Sequence, residues 1–347
     1  AIWVKVAQIL SCRPDLLPRE YIDELKTLQN DAASVEFSEL IPVLAGEWGA
    51  NWKGKVLSID PTPIATASLA QVHKAVLHDG REVAIKIQLP GVIKLFKQDF
   101  VIFQALAQAI ARFITQIDVQ QIADQLLKTT KEELDFSKEG ENITLFSQFD
   151  HLDRIKFPVL VDELSSDKIL VTEWVDGLRL REYLDKHPDQ ASDLLALLLN
   201  SYIQQITKFG VFHGDPHPGN FIINEKGEIT ILDFGVIGTL TQEETTHYSA
   251  LLFTLLDRSN ESLSEVFTRA GFKGIQEDTF KDLTRIFLGS KNFDTEYTEL
   301  LSDALEILRV QHITVPNSFV ALARALVTVG GFMQTYDVNV KESIVTD

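Results

Sequence analysis

Three polar residues have the types and the spacing that phosphoryl transfer from ATP requires. Asp215 and Asn220 lie in His213-Gly-Asp215-Pro-His217-Pro-Gly-Asn220, and Asp233 opens Asp233-Phe234-Gly235. They stand 5 and 13 residues apart. One carboxylate can orient or deprotonate a nucleophile. An Asn oxygen and a second carboxylate can hold magnesium, a hard cation that takes oxygen ligands. Asp215 is assigned the first role, Asn220 and Asp233 the second. The apolar run at 229–232 ends directly at Asp233, which fixes that carboxylate at a strand end. A polar turn with Asp and Asn as caps accounts for single residues but not for the combined set. His213 and His217 are set among Pro216 and Pro218, off any helix and with no third ligand, so zinc is not indicated. His213 reads as a structural histidine bracing the loop.

Upstream, Val83-Ala-Ile-Lys86 puts a lysine in an apolar strand pattern. Such a lysine is costly to bury unless paired. Beside the downstream motif it reads as the group that grips the α- and β-phosphates. An edge-strand lysine facing water is the bland alternative. Before it, where a glycine-rich phosphate loop is expected, stands Pro63-Ile-Ala65-Thr66-Ala67-Ser68-Leu-Ala70, with no glycine. Small side chains there still let backbone approach phosphate, with φ more restricted than in glycine. Ala65, Thr66, Ala67 and Ser68 are therefore nucleotide-contact candidates, with the Thr66 hydroxyl near the phosphates. By position, Glu173 and Val175 in Thr172-Glu173-Trp174-Val175 form a hinge whose backbone holds adenine. After Gly235 the chain reaches Thr239-Leu-Thr-Gln-Glu-Glu244, a helix-start signature, leaving no room for a long activation loop.

These groups need elements to position them. Helical spacing covers 1–56, with two prolines in the segment at 13–18. Runs at 56–60, 68–77 and 82–89 are β-like, the last two joined by the turn 78–81. Amphipathic helices are predicted over 92–116 and 119–147, strands over 157–162 and 168–175. From Leu180 the chain is mostly helical, interrupted by a loop at 213–220 and a hairpin around 224–227. The division expected is a helical extension (1–56), a small lobe with inserted helices (57–178) and a helical large lobe (179–347).

Asp and Glu outnumber Lys and Arg 50 to 32, a net charge of -18, which disfavours nucleic acid as a partner. Hydrophobic residues make up 45% of the chain and charged ones 24%, an ordinary folded composition. A single cysteine, Cys12, excludes an internal disulfide and fits a reducing compartment. The most apolar stretches, 101–117 and 318–333, carry polar residues including Arg112 and Arg324 and are not read as membrane spans. The chain opens without Met inside a helical pattern and is read as a fragment or processed form that lacks an anchor.

In this order, ATASLAQVHKA, VAIK, KEELDFSKEGEN, HGDPHPGN and LDFG closely resemble the UbiB-like, aarF-domain family of atypical kinases, over residues 1 to about 240. Lys5-Val-Ala7-Gln8 resembles that family's KxGQ helix, with Ala7 for Gly. The alanine loop resembles its run of three alanines, interrupted by Thr66. The resemblance implies an α+β, bilobal kinase-like fold with a KxGQ-type helical extension over the active site. It implies that Glu139 pairs with Lys86, that Glu133 and Asp135 are the ExD motif, and that Lys5 and Gln8 sit on a helix occluding the peptide groove. From the residues alone, Lys5 is a solvated lysine, and Glu132, Glu133, Asp135 and Glu139 an exposed acidic face. The resemblance further implies ATP and Mg2+ as ligands, and ATPase or unorthodox kinase activity. That activity would support isoprenoid-quinone biosynthesis or lipid homeostasis at a membrane, with a lipid or quinone precursor and quinone-biosynthesis proteins as partners. The rival readings are a small-molecule phosphotransferase of the aminoglycoside or choline kinase type, an ordinary protein kinase, and a non-catalytic nucleotide-binding scaffold.

Overall fold

The computed structural model describes residues 34–111, 127–128, 130–255, 262–274, 307–308, 310–311 and 313–344. The helices expected over 1–30, with Lys5 and Gln8, and the tail segment 275–306 lie outside the described residues.

The first sheet is built on a hairpin. β3 (Ala70–Val76) and β4 (Glu82–Gln88) pair antiparallel through the turn 77–81, where Gly80 adopts φ 90. β1 (Ser58–Ile59) and β2 (Ala65–Thr66) both pair with β3. β6 (Ile169–Glu173) pairs with β4, and β5 (Ile155–Lys156) lies outside this sheet. Alternation in β4 splits its residues between two faces. Val83, Ile85 and Ile87 pack with Ile169 and Val171 against α1 (Phe37–Trp48), which contributes Leu40 and Leu44 one turn apart. Gln71 of β3 clamps Val35 ahead of α1, accepting from its N–H at 2.6 Å and donating to its carbonyl at 3.2 Å. Lys86 therefore points to the opposite face.

That face is covered by α3 (Phe136–Ser147). Phe136, Glu139, Gly140, Ile143 and Phe146 form its buried stripe at helical spacing. α2 (Val92–Ala111) precedes it. The helix predicted over 119–147 is not continuous. The chain turns at Asp135, whose extended backbone (φ -114, ψ 94) and side-chain bond to Ser137 N–H start α3 afresh. The strand expected at 157–162 is reduced to one bridge, Leu160 to Thr172, because Val171 N–H donates to the Ser165 hydroxyl at 3.0 Å instead of extending the ladder.

A second sheet has the order β5, β10 (Ile229–Ile231), β9 (Phe221–Ile223), β7 (Leu178–Arg179). β8 (Val211–His213) pairs separately with β11 (Ile237–Thr239). α4 (Leu180–Lys186) follows β7. α5 (Ala191–Gln204) forms the centre of the larger core through Leu194, Leu195, Leu198 and Tyr202. It ends in a wide turn, 205–209, closed by Gly210 at φ 65. α6 (Gln242–Leu255) begins with a reciprocal cap. Thr241 N–H donates to Glu244, and Glu244 N–H donates to the Thr241 hydroxyl. α7 (Leu263–Arg269), α8 (Asn317–Thr335) and α9 (Val340–Ser343) complete the described helices. α8 is long and apolar enough to span a membrane by composition. Here Val320, Leu322, Ala325, Val329 and Met333 are buried in the fold, which makes it a core helix. The architecture is α+β with two lobes, each with its own hydrophobic cluster.

Candidate active site

Topology brings the distant motifs together. The chain leaves β8 through 214–220, forms the β9–β10 hairpin, and returns through 233–235 into β11 beside β8. The two polar loops must therefore emerge side by side. Gln205 fixes the start of the first by accepting from His213 N–H at 2.9 Å. Leu232 N–H donates to the Asn220 carbonyl at 2.7 Å and ties the loops together.

His213 is fully buried between them. Its Nε2–H donates to the carbonyls of Asp233 (2.8 Å) and Leu232 (3.1 Å), and its Nδ1 accepts from Tyr202 Oη at 3.1 Å; these partners assign the tautomer. Burial pushes the His213 pKa down and the Tyr202 phenol up, so the imidazole is neutral. This is the bracing role expected from the sequence. It also supports a strained residue, since Asp233 adopts φ 53, a left-handed conformation that is costly for a side chain with Cβ.

Lys86 Nζ lies 2.7 Å from Glu139 Oε2 and 3.8 Å from Asp233 Oδ1. Burial alone would lower the lysine pKa. The carboxylates of Asp233 and Glu139, with a contribution from Glu133, override it and hold the amine above its ordinary value. Burial pushes the Glu139 carboxyl up against the pull of Lys86. The close contact favours the charged pair, while the Asp233 carboxylate keeps Lys86 charged and opposes ionisation of Glu139. Asn220 spends its Nδ2 hydrogens on Asp215, bonding the backbone carbonyl at 3.0 Å and Oδ2 at 3.3 Å. Its Oδ1 is thereby turned outward as an oxygen donor. It and the half-exposed Asp233 carboxylate are hard oxygens of the kind Mg2+ takes as ligands.

Strand register places the remaining candidates. Ala65 pairs with Val72, Val72 with Lys86, and Lys86 with Leu170, so Ala65 lies on the Lys86 face, two strands away. Thr66 pairs with Gln71, whose side chain reaches Val35. The Thr66 hydroxyl is therefore on the far face, not beside the expected phosphates, because neighbouring strand residues alternate sides. Ala67 and Ser68 form the hairpin tip. In the hinge, Glu173 N–H is engaged by the Val159 carbonyl and its carboxylate by Arg81 at 3.1 Å. Val175, half-buried, makes no backbone hydrogen bond among the described residues and has both groups to offer a ligand edge. Asp135 accepts from both Ser137 N–H and Ser137 Oγ as the cap of α3, and Glu133 lies just before it.

Residues 27–267 match the ABC1 atypical kinase-like domain. The chain belongs to this family. An ABC1 relative in the mouse, AarF domain-containing protein kinase 1, is 34% identical over 277 residues, covering 78% of this chain and 53% of the mouse protein. A protein in the hydrogenase 1 5′ region of Clostridium pasteurianum is 32% identical over 343 residues, 95% of this chain and 64% of that protein. The chain thus spans less than two thirds of either. In the chloroplast of Arabidopsis thaliana, ACTIVITY OF BC1 COMPLEX KINASE 3 is 29% identical. Among solved structures, the Rv3197–erythromycin complex from Mycobacterium tuberculosis has a TM-score of 0.66 at 26% identity, covering 95% of this chain and 87% of that one.

Some residues around this site were given no role from the sequence, although Asn142 closes the KEELDFSKEGEN motif. Asn142, one helical turn beyond Glu139, donates from Nδ2 to the Phe234 carbonyl at 2.8 Å. α3 therefore holds both Lys86 and the Asp-Phe-Gly turn. Tyr202 and Gln205 lie buried at the end of apolar α5 and in the turn that follows it. Arg324 stood out only as the one charge within the apolar run of α8.

Proposed function

We propose that this ABC1-family chain binds Mg-ATP at the junction of its lobes and transfers or hydrolyses the terminal phosphoryl group. The observation that carries this is the convergence of Lys86, Glu139 and Asp233 on one face and Asp215 with Asn220 beside it. Lys86, held by Glu139, grips the α- and β-phosphates. Val175 and the Glu173 carbonyl take the adenine edge. Ala65, Ala67 and Ser68 roof the phosphates. Asn220 Oδ1 and Asp233 hold Mg2+, which when bound neutralises charge developing on the phosphoryl oxygens. Asp215 orients the attacking water or hydroxyl and takes its proton.

Residues 236–241 are all that separates the Asp-Phe-Gly turn from α6, and part of that stretch is β11. This short connection supports a site without a peptide-docking platform, and therefore an ATPase or an enzyme with a non-peptide acceptor. By family resemblance the acceptor or activator is a membrane lipid or isoprenoid-quinone precursor, and the chain works at a membrane facing a reducing compartment. The chloroplastic relative agrees with an organelle setting. A second reading, a phosphotransferase acting on a soluble small molecule, is favoured by the solved relative in complex with erythromycin.

The test is phosphate release from Mg-ATP by the purified chain, with and without liposomes carrying a quinone-head-group precursor, beside Asp215→Asn and Asp233→Asn. Turnover that rises with the lipid and vanishes in both variants supports the reading. Nucleotide binding with no turnover under any condition refutes catalysis in favour of a scaffold.

A further inference from the structure

The middle position of His213-Gly214-Asp215 is occupied by arginine in the His-Arg-Asp loop of ordinary protein kinases. Here a side chain at that position is disfavoured. A Cβ on Gly214 would lie 2.8 Å from Val236 Cγ1, closer than packed atoms approach, and 3.0 Å from the Val236 carbonyl, so Val236 would have to shift. The chain just ahead of β11 runs close by, since Gly214 N–H itself donates to the Val236 carbonyl at 2.9 Å. A guanidinium nevertheless reaches this loop. Arg324 Nη2 donates to the Gly214 carbonyl at 3.0 Å from 110 residues further along the chain.

The setting of Arg324 makes this contact informative. It is the one charged residue of α8, flanked by the buried Ala323 and Ala325, and it is itself half-buried. A cation in such a helix is unfavourable unless a polar partner offsets its desolvation. The partner is the carbonyl of the residue immediately before Asp215. A charge-assisted bond at that carbonyl is stronger than a neutral one and fixes the peptide plane from which the Asp215 side chain departs. Asn220 grips the same loop from its other end through the Asp215 carbonyl.

We infer that Arg324 is a positioning residue, supplied by the C-terminal helix α8 in place of the loop arginine that Gly214 replaces, and that it sets the orientation of Asp215. The inference rests on the phosphoryl-transfer reading only for its kinetic consequence. The geometric consequence stands apart from it.

Two readouts on the same variants test it. The first is amide hydrogen exchange in Arg324→Gln and Arg324→Lys. Exchange at Gly214, His217 and Asn220 is expected to rise about tenfold or more in Arg324→Gln while α5 amides keep their protection. Arg324→Lys, which keeps the cation, is expected to fall between it and the wild type. The second is steady-state ATP turnover. A loop displaced by a fraction of an ångström is expected to lower kcat by about 10- to 100-fold with KM within about twofold. Unchanged loop exchange overturns the inference, as does protection lost uniformly across α5 and α8. If Arg324→Gln does not fold, Arg324→Lys decides by the same criterion. A wild type that binds nucleotide without turnover refutes catalysis, and the exchange result still decides the role of Arg324.

Discussion

Replacing Glu139 by Gln keeps the shape of the side chain and removes its charge. The consequence follows from two distances. At an effective dielectric of about 20, opposite unit charges 2.7 Å apart attract by roughly 6 kcal/mol and those 3.8 Å apart by roughly 4. Lys86 loses the first contact and retains the second. The desolvation that the buried Glu139 carboxylate no longer has to bear offsets part of the lost attraction, and the net loss falls at about 2–4 kcal/mol. This agrees with the cost of removing one partner from a buried pair, about 3–5 kcal/mol, reduced by the surviving carboxylate. For a folding unit of 150–250 residues the melting temperature drops by about 4–16 °C. The functional effect has a specific form. Lys86 moves onto Asp233, the carboxylate assigned to the metal, so metal and lysine compete. A magnesium titration of ATP turnover is expected to shift its midpoint upward by about tenfold or more, equivalent to 1.4 kcal/mol, with partial recovery at high magnesium. A variant that melts lower yet keeps the wild-type magnesium midpoint would refute the competition between Lys86 and Mg2+ at Asp233.

Asn142→Ala removes the tie between α3 and the Phe234 carbonyl and leaves that acceptor without its partner. It is expected to cost about 1–3 kcal/mol in a thermal melt and to lower turnover more than nucleotide affinity, measured by kcat beside a nucleotide Kd. Burial lowers the pKa of His73, His151 and His213, so the unfolded chain binds protons below pH 6.5 that the folded chain refuses. Stability is therefore fully present above pH 6.5 and lost as pH falls below it, by up to about 1.4 kcal/mol per pH unit for each histidine. Glu139, whose carboxyl burial raises, acts in the opposite sense, so the single-site comparison isolates the effect. His151→Phe, in a setting of Phe146, Phe149, Phe157 and Phe209, should flatten the pH dependence of unfolding between pH 7 and 5.5, and an unchanged slope would count against His151 as a contributor.

What the sequence disclosed followed the chemistry. Asp215, Asn220 and Asp233 were legible because three polar types at fixed spacing are hard to produce by turn composition. Lys86 was legible because a charge in an apolar strand demands a partner, although only resemblance named Glu139. A small β-containing region ahead of a larger helical one followed from where β-like runs give way to helical ones, whereas the two-lobed kinase-like arrangement came from the resemblance. Residues that act across long separations were not legible. The side chains of Asn142 and Arg324 act through hydrogen bonds over 92 and 110 residues, and nothing local to either, the motif that Asn142 closes included, shows the partner it reaches. Thr66 failed for a different reason. Its identity suggested a phosphate contact, but side is set by register, and two-residue β2 gives too short a pattern to reveal it.

The absent glycines of the phosphate loop have a physical explanation in the same hairpin. A glycine is required where backbone must turn with positive φ. Among the described residues, the only non-glycine positions with positive φ are Asp233 and Asp337, so Ala67, Ser68 and Leu69 turn without one. The tip is closed by Ala67 N–H donating to the Ala70 carbonyl at 2.8 Å. It is also anchored. Leu69 is buried with Val92, Phe96 and Phe100 of α2 and with Leu134, and its carbonyl accepts from Leu89 N–H at 2.9 Å. A glycine-rich loop gains close approach to phosphate through conformational freedom. This loop attains a fixed shape by pinning its corner leucine into a hydrophobic cluster, and small side chains on the Lys86 face leave the approach open. Alanine, rather than glycine, suits a loop that is held in place, because it lowers the entropy of the unfolded chain without straining the fold.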